Sequence, residues 1–231
     1  MAQSKDKLRL LTLNTHSWQE ADNASCLLRM AEAVSREQPD IIALQEVNQH
    51  QAESPALPER LRAAGFAASG GVIRENNWAF RLAENLNCDG RPYHWSWVYT
   101  HVGYRCWEEG LALLSRKPIL EVRSREISAP DLEAGSWRRR CALAIRNDDG
   151  WFCSVHTGWW QDPVSPFADQ WRRLNAFASE LDGRIYLMGD FNSPAHIRQQ
   201  GYDMILADGW ADCYTRAETK DTGVTVPGQI D

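Results

Sequence analysis

The chain has 231 residues, 43% of them hydrophobic and 24% charged, which is enough apolar material for one sizeable core and reads as a folded, water-soluble protein. Its formal net charge is -6, from 25 basic and 31 acidic residues, so it carries no general electrostatic footprint for a nucleic-acid backbone. Nucleic acid is therefore not the expected partner, although a local basic groove stays open.

In chain order, Leu8-Arg9-Leu10-Leu11-Thr12-Leu13 predicts a buried first strand that stops at the polar Asn14-Thr15-His16. Residues 24 to 37 place Leu27, Met30, Ala31 and Val34 at helical spacing, and Pro39-Asp40 ends that helix. Ile41-Ile42-Ala43-Leu44 then runs apolar into Gln45-Glu46-Val47, a second strand finishing in a carboxylate. A short helix is expected over 56 to 64, a loop leading into a strand over 65 to 73, and a weak helix over 78 to 86. Tyr93, Trp95, Trp97 and Tyr99 alternate as the aromatic face of a strand. A strand over 109 to 115 leads to a turn at Lys117-Pro118. Further strands are expected at 119 to 127, 139 to 146 and 151 to 156, the last two joined by the hairpin turn Asn147-Asp148-Asp149-Gly150. Phe167, Trp171, Leu174, Ala178 and Leu181 follow helical spacing up to Asp182-Gly183. Ile185 to Met188 predicts a buried strand, residues 199 to 208 a helix, and the tail from Thr215 is polar and weakly patterned.

No composition shift marks a division, so residues 1 to 231 are expected to form a single domain. Six cysteines show no Cys-x-x-Cys pair and no zinc-like spacing, and they read as reduced thiols, several of them buried. The N-terminus is polar, and no stretch approaches the roughly 18 apolar residues of a membrane span. The cytoplasm is the expected location, with no membrane partner. Eleven tryptophans are many for this length. Most read as core, but those in polar loops suit flat, partly apolar ligands such as sugar rings.

The chemistry lies at the strand ends. Met188-Gly189-Asp190-Phe191-Asn192 closes an apolar run with a carboxylate and a carboxamide two residues apart, which strand alternation projects from one side. An ordinary turn also explains Asp followed by Asn in this place. Asn14, Glu46 and His156 end other apolar strands, and sheets gather such ends into ligand sites. A hard cation, Mg²⁺ or Mn²⁺, needs only one or two carboxylates plus substrate phosphate, and Glu46 fits the principal ligand. Asp190 could orient or deprotonate water, while Asn14 and Asn192 donate to phosphoryl oxygens and His156 offsets their charge. Arg138-Arg139-Arg140 is the one compact basic run, read as a solvated strand start with one arginine facing the site.

Leu13-Asn14, Gln45-Glu46-Val47, Glu109-Gly110-Leu111-Ala112-Leu113-Leu114-Ser115, Val155-His156-Thr157 and Gly189-Asp190-Phe191-Asn192 resemble the successive motifs of the endonuclease/exonuclease/phosphatase superfamily. The resemblance implies an α/β fold, a four-layer sandwich of two mixed β-sheets flanked by helices, with a divalent-metal site at one edge. It implies Glu46 and Asn14 at the metal, His156 and Asn192 on the phosphate, and Asp190 on the nucleophile. His156-Thr157-Gly158-Trp159-Trp160, then Asp162, Pro166-Phe167 and Gln170-Trp171, together with Asn14-Thr15-His16-Ser17-Trp18, are similar to the sugar-phosphate phosphatase branch, maltose 6'-phosphate phosphatases in particular. That implies a sugar phosphate as small-molecule partner, with His16, Arg140, Trp159 and Trp160 as substrate-binding residues. For the two tryptophans, packing of the following helix is the competing explanation.

The superfamily's last two motifs, an Arg-Ile-Asp-Tyr strand and a Ser-Asp-His segment, do not occur before the sequence stops at Ile230-Asp231. The chain is thus expected to be truncated at its C-terminus, and a molecule ending there to lose most activity. A nuclease of the same superfamily, or a non-catalytic module binding a phosphosugar or a protein partner, are the alternatives.

Overall fold

The computed structural model describes residues 7–68, 70–88, 90, 92–133 and 135–225. In order, the elements are β1 (Leu10–Asn14), α1 (Asn23–Glu37), β2 (Ile41–His50), α2 (Pro58–Ala63), α3 (Trp78–Cys88), β3 (His94–Gly103), β4 (Trp107–Ser115), β5 (Glu121–Glu126), β6 (Cys141–Asn147), β7 (Gly150–His156), α4 (Phe167–Ser179), β8 (Ile185–Asp190), α5 (Gly201–Ala207) and α6 (Cys213–Arg216). The chain falls into two compact units, Met1–Asn192 and Ser193–Asp231. Within the smaller one, Asp212 accepts from the Tyr214 amide to cap α6 and from the Tyr202 hydroxyl on α5 at 2.8 Å. The Ile230-Asp231 pair lies outside the described residues.

The larger unit holds two mixed four-stranded sheets, ordered β1-β2-β4-β3 and β5-β6-β7-β8. Each contains one parallel pair joined through a helix: β1 and β2 through α1, β7 and β8 through α4. A parallel pair must end both strands at the same edge, because the crossover carries the chain back to its starting side. Register then sets Asn14 opposite Gln45 and His156 opposite Asp190. Asn14 donates to Asp190 across the two sheets, so these polar strand ends meet at one edge of the sandwich.

Between the sheets lie Ile41, Ala43, Leu111, Leu113, Leu143, Ile145, Phe152 and Met188. Gln45 Nε2 donates to Ser154 Oγ at 3.0 Å, and that hydroxyl donates to the Leu44 carbonyl, so the sheets are also tied by buried hydrogen bonds. On the other face of the first sheet, Ile42, Leu44, Val47, Ala112, Leu114, Trp95 and Trp97 pack with Leu27, Met30 and Val34 of α1 and Phe80 and Leu82 of α3. Trp151, Cys153 and Val155, on the outward face of β7, are buried as well, and α4 buries Phe167, Trp171, Leu174, Phe177 and Ala178. Helix, sheet, sheet and helix give the expected α/β sandwich. Among the described residues, no helix is long and apolar enough to cross a membrane.

Four expectations need correction. β1 is an edge strand, with Leu10 at 37% and Leu13 at 43% exposure, so it is not a buried strand. The same position leaves Ile185, Tyr186 and Leu187 of β8 half-buried. Among the described residues, 65 to 73 lead into no strand, and isolated bridges pair Phe66 with Trp95 and Pro55 with Arg74. Finally, β2 continues beyond Val47 to His50, because its polar end finds partners: Gln49 Nε2 donates to Glu108 at 2.7 Å.

Candidate active site

Glu46 owes its position to a β-bulge. The β2–β4 register slips between Leu44 and Val47, and Glu46 is in the left-handed region at φ 54°. One extra residue lets Gln45 point between the sheets and Val47 enter the helix-side core, while Glu46 is aimed out of the sheet end. Such a conformation costs a non-glycine residue roughly 1 to 3 kcal/mol, so the surroundings must impose it. They do: the Thr15 hydroxyl donates to the carbonyls of Gln45 at 2.9 Å and Glu46 at 3.2 Å, and Trp97 Nε1 donates to that of Val47 at 3.0 Å. Gly110 across from the bulge is required, since a Cβ there would sit 2.2 Å from the Val98 carbonyl oxygen.

Asn14 joins the two carboxylates. Its Nδ2 donates to Glu46 Oε1 at 2.8 Å and to Asp190 Oδ2 at 3.2 Å, while its Oδ1 accepts from the His16 amide at 3.2 Å. The other Asp190 oxygen accepts from the Asn192 amide at 2.9 Å, closing an Asx turn. The strand tip is thus a turn, and it leaves Asp190 Oδ2 facing Asn14. The strand stops at Asp190 and Asn192 has φ 44°, so strand alternation does not set the two side chains. Asn192 Nδ2 instead donates to the Thr157 carbonyl at 2.8 Å. Gly189, at φ 145°, lets β8 approach β7 where a Cβ would be 2.0 Å from the Val155 carbonyl oxygen.

The family model of the endonuclease/exonuclease/phosphatase family matches residues 11–218. The chain belongs to that family. Its members are phosphoesterases, phosphatases and nucleases alike. A family protein from Leptotrichia buccalis C-1013-b superposes with TM-score 0.81 at 26% identity, covering 97% of this chain and 81% of its own. Two more distant structures share the fold. The mannosyl-6-phosphatase from Bacteroides thetaiotaomicron VPI-5482 has TM-score 0.55 at 16% identity, over 88% of this chain and 71% of that one. D. rerio TDP2, complexed with single strand DNA product, has TM-score 0.50 at 12% identity, over 90% of this chain and 66% of its own. No curated protein matches the chain.

Behind the carboxylates of this family member lies a buried polar cluster. His156 Nε2 is 3.9 Å from Asp190 Oδ2. Burial, then Arg140, push its pKa down to about 4, against the pull of Asp190 and Glu46. At neutral pH it is therefore a neutral hydrogen-bonding group and not half of an ion pair. Arg140 is buried; its Nη1 donates to the carbonyls of Trp137 at 2.7 Å and Arg139 at 3.0 Å, and its Nε has no partner. Burial lowers its pKa, and Glu109, Glu46 and Asp190 oppose that. Glu109 is pushed up to about 7, by burial first and then by Glu46. His101, its cross-strand neighbour at 3.5 Å, is pushed down to about 3 by burial and Arg140. Asn48, paired in register with Glu109 and fully buried, has neither side-chain polar atom bonded.

Sequence reasoning placed Asn14, Glu46, His156 and Asp190, and the structure brings those four together. It missed Glu109, His101 and Asn48, which lie inside strands; the one clue was their polar character within runs that otherwise alternate. His16 stands at the rim, with Nδ1 3.1 Å from Glu20 and Nε2 3.2 Å from the Tyr104 hydroxyl. Trp159 is 38% exposed, whereas Trp160 is half-buried with its ring 6.2 Å from that of Phe167, so Trp160 packs on the start of α4. Arg138 pairs with Asp162 at 2.8 Å and Arg139 with Glu126 at 2.6 Å. Only Arg140 of the basic run turns toward the acidic cluster.

Among the described residues, no three His, Cys, Asp or Glu side chains form a ready-made metal cage. The donor set nevertheless fits a hard divalent cation. Two carboxylates gathered on one amide offer oxygen donors only, with Glu109 adding to the negative field, and such a cation keeps most of its waters.

Proposed function

We propose that this chain is a divalent-metal-dependent phosphomonoesterase that hydrolyses a phosphorylated sugar, such as maltose 6'-phosphate, by in-line attack of water. The observation that carries this reading is the single Asn14 amide donating to both Glu46 and Asp190, beside a neutral His156 and a buried Arg140.

Glu46 would hold Mg²⁺ or Mn²⁺, with Asn14 as a second ligand if its amide turns its oxygen inward. When bound, the cation polarises a phosphoryl oxygen and neutralises charge that grows there. Asp190 Oδ2 accepts the proton of the attacking water, and its other oxygen is fixed by the Asn192 amide, which sets the orientation of the carboxylate. Neutral His156 donates to a phosphoryl oxygen without first losing a proton. Arg140 holds its charge close by with Nε unpartnered, suited to an anionic substrate. Asn192 supports the phosphate from the turn that pins it to Thr157.

A sugar is favoured over a nucleic acid because Arg138 and Arg139, in the compact basic run, are paired with Asp162 and Glu126 and so are less available to a polyanion. Trp159, exposed directly after Gly158, whose amide donates to Gln170 Oε1 of α4, suits the apolar face of a sugar ring. Six free cysteines fit a reducing compartment, and we place the protein in the cytoplasm.

The test is phosphate release from maltose 6'-phosphate, glucose 6-phosphate and an abasic DNA duplex, each with Mg²⁺ and with chelator. Sugar-phosphate turnover that needs Mg²⁺ is expected. Turnover of DNA alone would sink the sugar reading, and turnover in chelator would sink the metal-dependent mechanism.

A further inference from the structure

Two tight turns meet at the rim of the site, and both are strained. His16 and Ser17 have φ 46° each, and Tyr104 and Arg105, in the turn between β3 and β4, have φ 47° and 68°. Consecutive non-glycine residues in the left-handed region are disfavoured, and strain of this kind gathers where a side chain must be held in place. What the turns hold is Tyr104 against His16, hydroxyl to Nε2 at 3.2 Å, with ring centroids 6.4 Å apart and inclined at 62°. Core packing does not explain Tyr104, which is 59% exposed. Nor is the pair remote from the chemistry. The His16 amide donates to Asn14 Oδ1, and the same Asn14 joins Glu46 and Asp190.

Glu20, 3.1 Å from His16 Nδ1, fixes the ring so that Nε2 faces the Tyr104 hydroxyl. That contact takes up one side of the phenolic oxygen and leaves the exposed side open to a ligand hydroxyl. The exposed ring beside it offers an apolar face of the kind that covers the C–H side of a sugar.

We propose that Tyr104 binds the leaving-group sugar, through its ring face and a hydrogen bond between its hydroxyl and one of the sugar's, while the phosphate lies against Asn14, His156 and Arg140. This rests on the sugar-phosphatase reading of the same site and adds to it a residue that selects the alcohol over the phosphate.

The experiment is a calorimetric titration of the full chain in Mg²⁺, in the Asp190→Asn background so that turnover does not interfere, with maltose 6'-phosphate and with methyl phosphate, which carries no hydroxyl. The sugar phosphate is expected to bind more tightly than methyl phosphate. Adding Tyr104→Phe, which keeps the ring and removes the hydroxyl, is expected to shrink that ratio by about fivefold to tenfold, the worth of one neutral hydrogen bond. An unchanged ratio, or an equal loss for both ligands, overturns the role of Tyr104 while leaving the sugar reading in place. If the sugar phosphate binds no better than methyl phosphate before Tyr104 is changed, the sugar reading itself fails, and Tyr104 with it.

Discussion

The space between the two sheets has two halves built from the same strands. In one, Ile41, Ala43, Leu113, Leu143, Ile145 and Phe152 interlock as an apolar core. In the other, β2, β4 and β7 carry Glu46, Asn48, Glu109 and His156 toward the strand ends, and Arg140 enters from the residue before β6. The alternation of side chains continues from one half to the other, broken only by the bulges at Glu46 and before His101. Only the chemistry changes. The apolar half is satisfied by contact alone, whereas the polar half keeps buried groups without partners, among them Arg140 Nε and both polar atoms of Asn48. Unmet hydrogen-bonding capacity of this kind is costly, so the apolar half holds the fold together and the polar half lowers its stability.

The division can be broken most forcefully from the apolar side. Phe152→Ala removes a fully buried ring stacked on Tyr186 at 5.0 Å and should cost about 3 to 5 kcal/mol in denaturant unfolding. A cost under about 1 kcal/mol would mean that this half does not carry the stability. From the polar side the effects reverse. Asp190→Asn should lower kcat for sugar-phosphate hydrolysis by roughly 10² to 10⁴. In chelator it should shift the unfolding free energy by less than about 1 kcal/mol, because the amide oxygen can still accept from Asn192 and one negative charge beside Glu46 is gone. A stability loss as large as that of Phe152→Ala would make Asp190 a structural residue.

Acid separates the halves further. His156 and His101 have folded pKa values near 4 and 3, below an ordinary histidine. The unfolded chain therefore takes up protons first as pH falls below about 6.5, and stability present above that pH is lost on the way to about 4. Glu109, raised to about 7, acts in the opposite sense: its contribution is full below the unfolded carboxyl value and is lost as pH rises through about 7. Melting temperature in chelator should thus fall between pH 6.5 and 4.5, more steeply in Glu109→Gln and less steeply in His101→Asn. Identical profiles for the three proteins would contradict the neutral, buried state assigned to this cluster. The smallest effect belongs to the surface. Arg139→Ala breaks a partly exposed ion pair with Glu126 and should cost under about 1 kcal/mol without changing turnover, in contrast to Arg140 one residue on.

Much of this was legible from the sequence because an apolar run that ends in a polar residue is visible without a structure. Asn14, Glu46, His156 and Asp190 all follow such runs, and parallel pairing does the rest. Glu109 and His101 were hidden because they sit within strands, where a polar residue reads as the solvent face; here that face is turned toward the second sheet. The bulge at Glu46 leaves no periodic trace, since one extra residue looks like ordinary alternation until pairing is known. Edge position was equally invisible: Leu10 and Leu13 look like core residues and are exposed because nothing pairs beyond β1 among the described residues. The last helix, α6, is a single turn capped by Asp212, too short for a hydrophobic period.

Asn14 donates to both Glu46 and Asp190, and the proposed function needs Glu46 to hold a divalent cation there. Calorimetric titration of Mg²⁺ into the full chain and into Glu46→Gln measures this. One saturable site is expected in the unaltered protein and its loss in Glu46→Gln, with the fold intact by circular dichroism. Equal Mg²⁺ binding by both proteins, or none by the unaltered chain, would show that Glu46 holds no cation.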